Sequence, residues 1–208
     1  MKNVFLIAAL VSFSSQAIEV EVGENIEFMV ANGKEVGSLM TPAKTLDLPQ
    51  GKHQLVVRYN ASVKDGSRNK FFTSRPYIFE ADIQQATVIN LPKMKRYSQV
   101  ESHFQSGPKW TFEYQDGTSA PVSYDKLVGS GFSPYGDMEG LVAEYNKERG
   151  ISFTNNQFEK LTDVAVSVSD TGEVNITGDA TTQLKLWYTK ATAEERKTFK
   201  LWMVEQDM

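Results

Sequence analysis

The sequence contains no cysteine and only two histidines among its 208 residues. The absence of cysteine excludes disulfide bonds, thiolate metal sites and a cysteine nucleophile. Small secreted eukaryotic domains more often carry disulfides, so if the chain is exported, the absence of cysteine fits a bacterial periplasm better. Neither His53 nor His103 lies in a recognisable catalytic or metal-binding motif. We therefore expect both histidines to be turn or surface residues.

Long apolar runs are also absent, apart from one short run near the N-terminus. Lys2 is followed by the apolar run Val4–Val11 and then by the small-x-small sequence Ser15-Gln-Ala17. This run is too short to cross a bilayer, which takes about 20 residues. The three-part pattern predicts that residues 1–17 are a secretory signal peptide cleaved after Ala17, and hence that the protein is periplasmic. We expect no membrane insertion, because no later segment is long and apolar enough.

Strong positive charge is missing too. The net charge is −4 at pH 7, which argues against nucleic acid as a partner. Glu19 with Glu21 fits strand alternation, and Glu194 with Glu195 fits the acidic preference of helix N-termini, so neither pair indicates catalysis. The glycine-rich segment 129–136 lacks the lysine and hydroxyl residue of a phosphate loop. The sequence therefore predicts no catalytic, cofactor-binding or metal-binding residue, and a protein that is not an enzyme.

What the sequence does contain, from residue 18 to 92, is a series of short segments typical of β-strands. Apolar and polar residues alternate in them, which places every second side chain on one face. Six or seven such strands at close spacing predict an antiparallel β-sandwich or a small barrel. The segments are Ile18–Val22, Ile26–Val30, Val36–Met40, the two arms of Thr45–Tyr59, Phe71–Ile83 and Ala86–Leu91. Asn32-Gly33 predicts a tight hairpin turn between the second and third.

The central feature of this predicted β domain is the segment Thr45–Tyr59. Leu46 and Leu48 alternate with polar residues before its turn, and apolar residues alternate again after it. Pro49 presets a turn conformation, and Gly51 tolerates a positive φ. We therefore predict that the two arms pair with each other as a β-hairpin.

Residues 93–208 are predicted to form an α+β part. The polar segment 98–109 predicts a loop or sub-domain boundary. Asp116-Gly117 predicts another hairpin turn. Asp137 and Gly150 are placed to begin and to end a helix.

The C-terminus predicts a helical hairpin. Thr192 and Glu195 have the spacing of a capping box. Trp187 and Trp202 recur with other apolar residues at helical spacing, so we expect them to be core residues rather than a sugar-binding platform. The whole chain is thus predicted to be α+β and mainly β, an antiparallel β-sandwich or small barrel followed by a helical C-terminal part. Residues 93–208 are expected to pack with the β domain as one unit.

Two groups of basic residues stand out in the predicted loops 60–70 and 93–97. They are Lys64, Arg68 and Lys70 in the first loop, and Lys93, Lys95 and Arg96 in the second. We expect both groups to be solvated surface. The alternative is a contact patch for an acidic or amyloid-forming partner.

Several sequence blocks together carry a family resemblance. After the predicted signal peptide come Leu48–Arg58 (LPQGKHQLVVR), Ser74–Tyr77 (SRPY), Leu184–Tyr188 (LKLWY) and Phe199–Trp202 (FKLW). In order and spacing these blocks resemble the YccT family of bacterial periplasmic proteins over nearly the whole mature chain. The resemblance implies an inhibitor of curli amyloid-fibre assembly, which acts on the secreted fibre subunit before it polymerises. It supplies no catalytic or ligand-binding residues.

The leading hypothesis is therefore a non-enzymatic periplasmic protein that binds a β-prone secreted protein and inhibits curli-like fibre assembly. The alternative is a cell-envelope accessory module that binds glycan or peptidoglycan through exposed aromatic residues. An enzyme, the third hypothesis, would require a cleft that holds His53 or His103 against a carboxylate.

Overall fold

The computed structural model describes residues 17–38, 41–154, 157–160, 166–168, 174–176 and 180–206, so the predicted signal peptide, apart from Ala17, lies outside them. The strands are β1 (Ala17–Val22), β2 (Ile26–Ala31), β3 (Lys34–Glu35), β4 (Thr45–Pro49), β5 (Gly51–Asp65), β6 (Arg68–Thr73), β7 (Tyr77–Ile83), β8 (Thr87–Asn90), β9 (Thr111–Tyr114), β10 (Ser119–Pro121), β11 (Asp125–Lys126), β12 (Ile151–Thr154), β13 (Gln157–Lys160), β14 (Val166–Val168) and β15 (Val174–Ile176). The helices are α1 (Tyr97–Gln105), α2 (Met138–Arg149), α3 (Ala180–Lys190) and α4 (Ala193–Gln206). Within the described residues, no helix is both long and apolar enough to cross a membrane.

Most of these strands form two sheets. The front sheet has the order β10-β9-β8-β1-β4, in which β1 and β8 are parallel and the other neighbours are antiparallel. The central sheet has the antiparallel order β11-β7-β5-β2-β3, and β6 pairs with the last six residues of β5. The predicted class, α+β and mainly β with helices toward the C-terminus, is confirmed.

The hydrophobic core lies between the front and central sheets. Alternate residues of both sheets point into it, together with Trp110, which is 1% exposed. Full burial of one large apolar side chain contributes roughly 1.5–3 kcal/mol, so this shared core holds the two sheets together as a sandwich. Its members include Val20, Ile89 and Phe112 from the front sheet and Phe28, Leu55, Val57 and Phe79 from the central sheet.

Strand β5 is buried on both of its faces, because α2 covers the other side of the central sheet. Leu55 faces the core of the sandwich, whereas Val56 packs with Met138 and Val142 of α2. The run His53–Val57 is therefore buried without interruption. A strand buried on both faces does not follow the simple alternation of a strand with one wet face.

The predicted hairpin over Thr45–Tyr59 is wrong. β4 pairs with β1 in the front sheet, and β5 pairs with β2 and β7 in the central sheet. The chain bends at Gln50 and passes from one sheet to the other, with Gly51 at a φ of 131°. Leu48 and Leu55 consequently contribute to the same core from opposite sheets. Alternation identifies the face of a strand that is buried, but it does not identify the neighbouring strand.

Two segments that were predicted as loops have regular structure. Residues 60–70 belong to the β5–β6 hairpin, which turns around Gly66 at a φ of 62°. The polar segment 98–109 contains most of α1, whose Val100 and Phe104 are buried. In both segments a narrow apolar face is outnumbered by polar residues on the exposed face, so mean polarity is a misleading guide.

The predictions for local turns and caps are confirmed. Asn32 and Gly33 both have positive φ, 48° and 78°, in the turn between β2 and β3. The Asp137 carboxylate accepts a hydrogen bond from the Gly140 N–H at 2.8 Å, and so caps α2. Gly150 ends α2 in the left-handed conformation, with a φ of 62°.

Candidate functional site

The first candidate residue, His53, is fully buried, so its expected place at the surface is wrong. Its Nε2 lies 2.7 Å from the carbonyl oxygen of Pro49, and a carbonyl only accepts, so Nε2 carries the proton. Its Nδ1 then accepts from the side-chain amide of Asn32, at 2.9 Å. Both ring nitrogens are thus bound to neutral groups, as expected for a structural histidine.

The contacts of His53 continue into a buried polar network. The Asn32 side-chain oxygen accepts from the backbone N–H of Gln54 at 3.0 Å. The side chains of Gln54 and Asn146 exchange two hydrogen bonds, of 2.6 Å and 3.0 Å. Because Asn146 belongs to α2 and Gln54 to β5, this network fixes the helix on the central sheet. Each buried amide has a partner, which avoids the cost of leaving it unsatisfied.

His103, the second histidine, is half-buried on α1. Its Nε2 accepts a hydrogen bond from the backbone N–H of Lys109 at 3.1 Å, and its ring stands edge-on to Phe104. Burial, together with the positive charge of Lys109, lowers the pKa of His103. The described residues contain no group of three or more side chains that could hold a metal ion.

The two basic groups meet around the β5–β6 hairpin. A parallel backbone bridge joins Lys64 on β5 to Arg96, at the start of α1. The Nζ of Lys70 lies 3.6 Å from the centre of the Tyr97 ring, a cation–π contact between β6 and α1. We call this region the basic hairpin surface. It consists of the exposed residues Lys64, Arg68, Lys70, Phe71, Lys93, Lys95 and Arg96. By strand alternation, Arg68 and Lys70 lie on the face of the hairpin that α1 contacts, whereas Lys64 and Phe71 lie on the opposite face.

Strand β6 gives this surface an open edge. It pairs with β5 on one side, and no other described strand pairs with it. The Ser74 N–H donates to the Tyr59 carbonyl at 2.8 Å. In an antiparallel pair, successive residues direct their backbone groups alternately toward the partner strand and away from it, so this bond identifies which residues of β6 face β5 and which face outward. By that alternation, Asn69, Phe71 and Thr73 direct their N–H and C=O groups outward. The Phe71 side chain is 79% exposed beside them.

The other edges of the two main sheets are shorter or end in proline. β4 has 5 residues and ends at Pro49, and β10 has 3 residues and ends at Pro121. β3 and β11 have 2 residues each. β6, with 6 residues and no proline, is the longest open edge of these sheets in the described chain. Its Arg68 and Lys70 are charges of the kind that prevent two edges of one protein from pairing with each other.

A second candidate surface lies between α3 and α4. The Thr192 capping box is confirmed, since Glu195 accepts from its N–H at 2.7 Å and the Glu195 N–H donates to its hydroxyl at 3.3 Å. The expectation that the tryptophans are core residues is wrong, because Trp187 and Trp202 are each 52% exposed. A groove of about 390 Å³ runs between the helices. Its lining includes Leu184, Trp187, Tyr188, Arg196 and Phe199.

The fold and these surfaces define a class: a mainly β sandwich protein with one long, basic, open strand edge. A family model described as "Uncharacterized protein conserved in bacteria (DUF2057)" matches residues 19–202, and the chain belongs to this family. The UPF0319 protein VV2327 of Vibrio vulnificus strain YJ016 is 34% identical over 204 residues, which cover 97% of both chains. A UPF0319 protein of Vibrio cholerae is 30% identical and covers 99% of each chain.

The UPF0319 protein YccT of Salmonella dublin is 25% identical over 199 residues, 91% of this chain and 90% of its own. The resemblance to the YccT family is thereby confirmed. Comparison with solved structures gave no match.

The sequence predicts the charges of the basic hairpin surface, but it does not predict the open strand edge there. The signal was present, because Tyr59, Ala61 and Val63 continue the apolar alternation of β5 into the segment that was predicted as a loop. The meeting of residues 64–70 with residues 93–97 depends on the packing of α1, which no local pattern reveals.

Proposed function

We propose that this protein is a non-enzymatic periplasmic protein that binds an extended, β-prone segment of a secreted protein and inhibits its assembly into curli-like extracellular fibres. The open edge of β6 is the observation that carries this proposal. Asn69, Phe71 and Thr73 present unpaired backbone groups there, beside an exposed aromatic ring. The resemblance to the YccT family supports the same role.

The physical basis of the inhibition is competition for strand edges. A fibre grows when each incoming chain pairs its backbone N–H and C=O groups with the last strand added. A client strand that adds to β6 satisfies its backbone groups on one side, and so loses one of the two edges on which further strands of a fibre add. Arg68 and Lys70 discourage a second copy of this protein, and they attract a client with acidic side chains.

The absence of catalysis belongs to the same proposal. Both nitrogens of His53 are bound to an amide and a carbonyl, and His103 accepts from a backbone N–H. Neither histidine has a carboxylate partner among the hydrogen bonds and ion pairs of the described residues. This arrangement supports a binding role over general acid–base chemistry.

The test compares two proline substitutions in a fibre-formation assay. Asn69→Pro removes an outward N–H from β6 and leaves the β5 ladder intact, so we expect the variant to lose the delay of fibre growth that the mature protein causes. Asp47→Pro is the matched control, because it likewise removes an outward N–H from an edge strand, β4. The Val22 N–H donates to the Lys44 carbonyl (3.0 Å), so backbone groups alternate along β4 and the Asp47 N–H points away from β1.

The readout is the lag time of an endogenous fibre subunit, followed by an amyloid-binding dye. The proposal requires that Asp47→Pro retains the wild-type delay. It is abandoned if the wild-type protein, at a stoichiometric ratio, delays no endogenous fibre subunit.

A second candidate is the envelope module that binds glycan or peptidoglycan. The groove between α3 and α4 favours it, because Trp187 is half exposed there and exposed aromatic rings are suited to stack on sugar rings. Retention of the mature protein on isolated envelope material, and its loss in the Trp187→Ala variant, would support this function. Absence of retention removes it.

A further inference from the structure

A cavity lies at the point where β6 passes into β7. It has a volume of about 380 Å³, and its polar lining is basic, since it contains two arginines and no carboxylate. Its lining includes Arg58, Thr73, Ser74, Arg75 and Gly129. The cavity is thus electrostatically suited to an anionic group.

Arg58 is held in a fixed position at the wall of this cavity. Its Nε forms an ion pair with Glu27, whose side chain is only 5% exposed, while the Arg58 side chain is 18% exposed. A guanidinium has five N–H donors in a planar fork, so the contact at Nε leaves the terminal NH₂ groups for a second acceptor. Because Glu27 already orients this guanidinium, the contact of a ligand with Arg58 does not require the Arg58 side chain to be ordered on binding.

Arg75 supplies the second cation, at the mouth of the cavity. It is exposed and forms no ion pair with the described carboxylates. Ser74 beneath it is buried, and its hydroxyl is used within the fold: it accepts from the Tyr59 N–H at 2.9 Å and donates to the Arg75 carbonyl at 2.8 Å. The backbone that carries Arg75 is therefore fixed, although its side chain is free to reach a ligand.

The cavity is continuous with the open edge. Thr73 is the last residue of β6, directs its backbone groups outward and also lines the cavity. Thr73 pairs with Asn60, which lies two residues beyond Arg58 on β5, so Arg58 and Thr73 share one face of the hairpin. A strand that pairs along β6 as far as Thr73 consequently ends beside the two arginines.

We propose that this cavity is a carboxylate subsite for the client strand that docks on β6. This inference rests on the proposed function, because the strand delivers its carboxylate to the cavity. The carboxylate comes from a free C-terminus or from an acidic side chain, both of which match the planar fork of a guanidinium.

The test uses three β-prone peptides of about eight residues and the mature protein. One has a free C-terminus and no acidic side chain, one has an amidated C-terminus and a single glutamate, and one is amidated with glutamine in place of the glutamate. We expect at least one carboxylate peptide to bind roughly three- to tenfold more tightly than the neutral peptide. Which of the two gains affinity identifies the source of the carboxylate.

Arg75→Gln should remove this advantage, because it deletes one cation without disturbing the buried Arg58 pair. Lys52→Gln, an equal loss of charge at an exposed position near the other end of β5, should retain it. Binding is followed by the amide signals of Asn69 and Phe71, which report on the edge, and that of Gly129, which reports on the cavity.

Equal affinity of all three peptides, with shifts at Asn69 and Phe71, would overturn the subsite and leave edge docking intact. Carboxylate-dependent shifts at Gly129 without shifts at Asn69 or Phe71 would overturn edge docking and support the cavity as a carboxylate site. A complete lack of shifts would overturn both.

Discussion

At the scale of single residues, the buried polar groups of this protein serve the fold. His53, Asn32, Gln54 and Asn146 satisfy one another between the central sheet and α2. The burial of His53 among neutral partners agrees with the absence of a catalytic motif around it in the sequence. A histidine enclosed by neutral partners has a packing role, and only the tertiary structure reveals that enclosure.

The ion pair of Glu27 and Arg58 is a residue-scale feature with a large expected effect on stability. Glu27 is 4% exposed, so Glu27→Ala would leave the Arg58 guanidinium without its partner in a poorly solvated place. We expect this variant to lose about 3 kcal/mol of unfolding free energy, measured by urea denaturation.

The exposed Glu19, on β1, provides the control for that measurement. Glu19→Ala should change the free energy of unfolding by less than about 0.5 kcal/mol. An equal loss in the two variants would show that burial of the Glu27 pair has no particular role.

At the scale of elements, helix α1 connects the β5–β6 hairpin to the sandwich. The Phe104 ring lies 5.4 Å from the Tyr59 ring, 5.2 Å from Phe72 and 6.0 Å from Tyr77, between ring centres. These residues belong to β5, β6 and β7, so one side chain of α1 contacts three neighbouring strands. The hairpin that offers the open edge is therefore supported from one face.

Phe104→Ala tests this support. Removal of the ring should cost roughly 3–5 kcal/mol of unfolding free energy, because it opens a cavity among aromatic side chains. We also expect the substitution to accelerate amide hydrogen exchange, relative to the wild-type protein, more in β6 than in the front sheet, since α1 would no longer hold the hairpin.

The control for the helix is Ser102→Ala, which alters an exposed side chain of α1. This variant should leave exchange in β6 unchanged. Uniform acceleration across both sheets in Phe104→Ala would contradict a specific role of α1 in holding the hairpin.

At the scale of the whole molecule, the core of the sandwich draws on distant parts of the chain. β9 and β10 complete the front sheet, and Trp110 and Phe112 fill the core between the sheets. Met138 and Val142 of α2 cover the outer face of the central sheet. Residues 18–92 by themselves therefore lack the strands and side chains that complete the front sheet and its core, and they lack the helix that packs on the outer face of β5.

This arrangement predicts that a fragment of residues 18–92 does not fold, whereas a fragment of residues 18–160 does. Far-ultraviolet circular dichroism should show a cooperative thermal transition only for the longer fragment, because it alone retains Trp110, Phe112 and α2. A cooperative transition in the shorter fragment would show that residues 18–92 are an independent domain.

The sequence by itself determined the local features of this protein. The Asn32-Gly33 turn, the Asp137 and Thr192 caps and the stop at Gly150 depend on backbone conformations that a few adjacent residues specify. Alternation likewise identified the buried face of β7, where Tyr77, Phe79, Ala81 and Ile83 are all buried.

Only the tertiary structure decided which strands lie side by side. β4 and β5, although joined by a tight bend, pair in different sheets, because burial of Leu48 and Leu55 in one core outweighs local hairpin pairing. The meeting of Lys64 with Arg96 and the opening of the β6 edge follow from that long-range packing. Such features depend on contacts between residues far apart in the chain, and patterns of adjacent residues do not encode them.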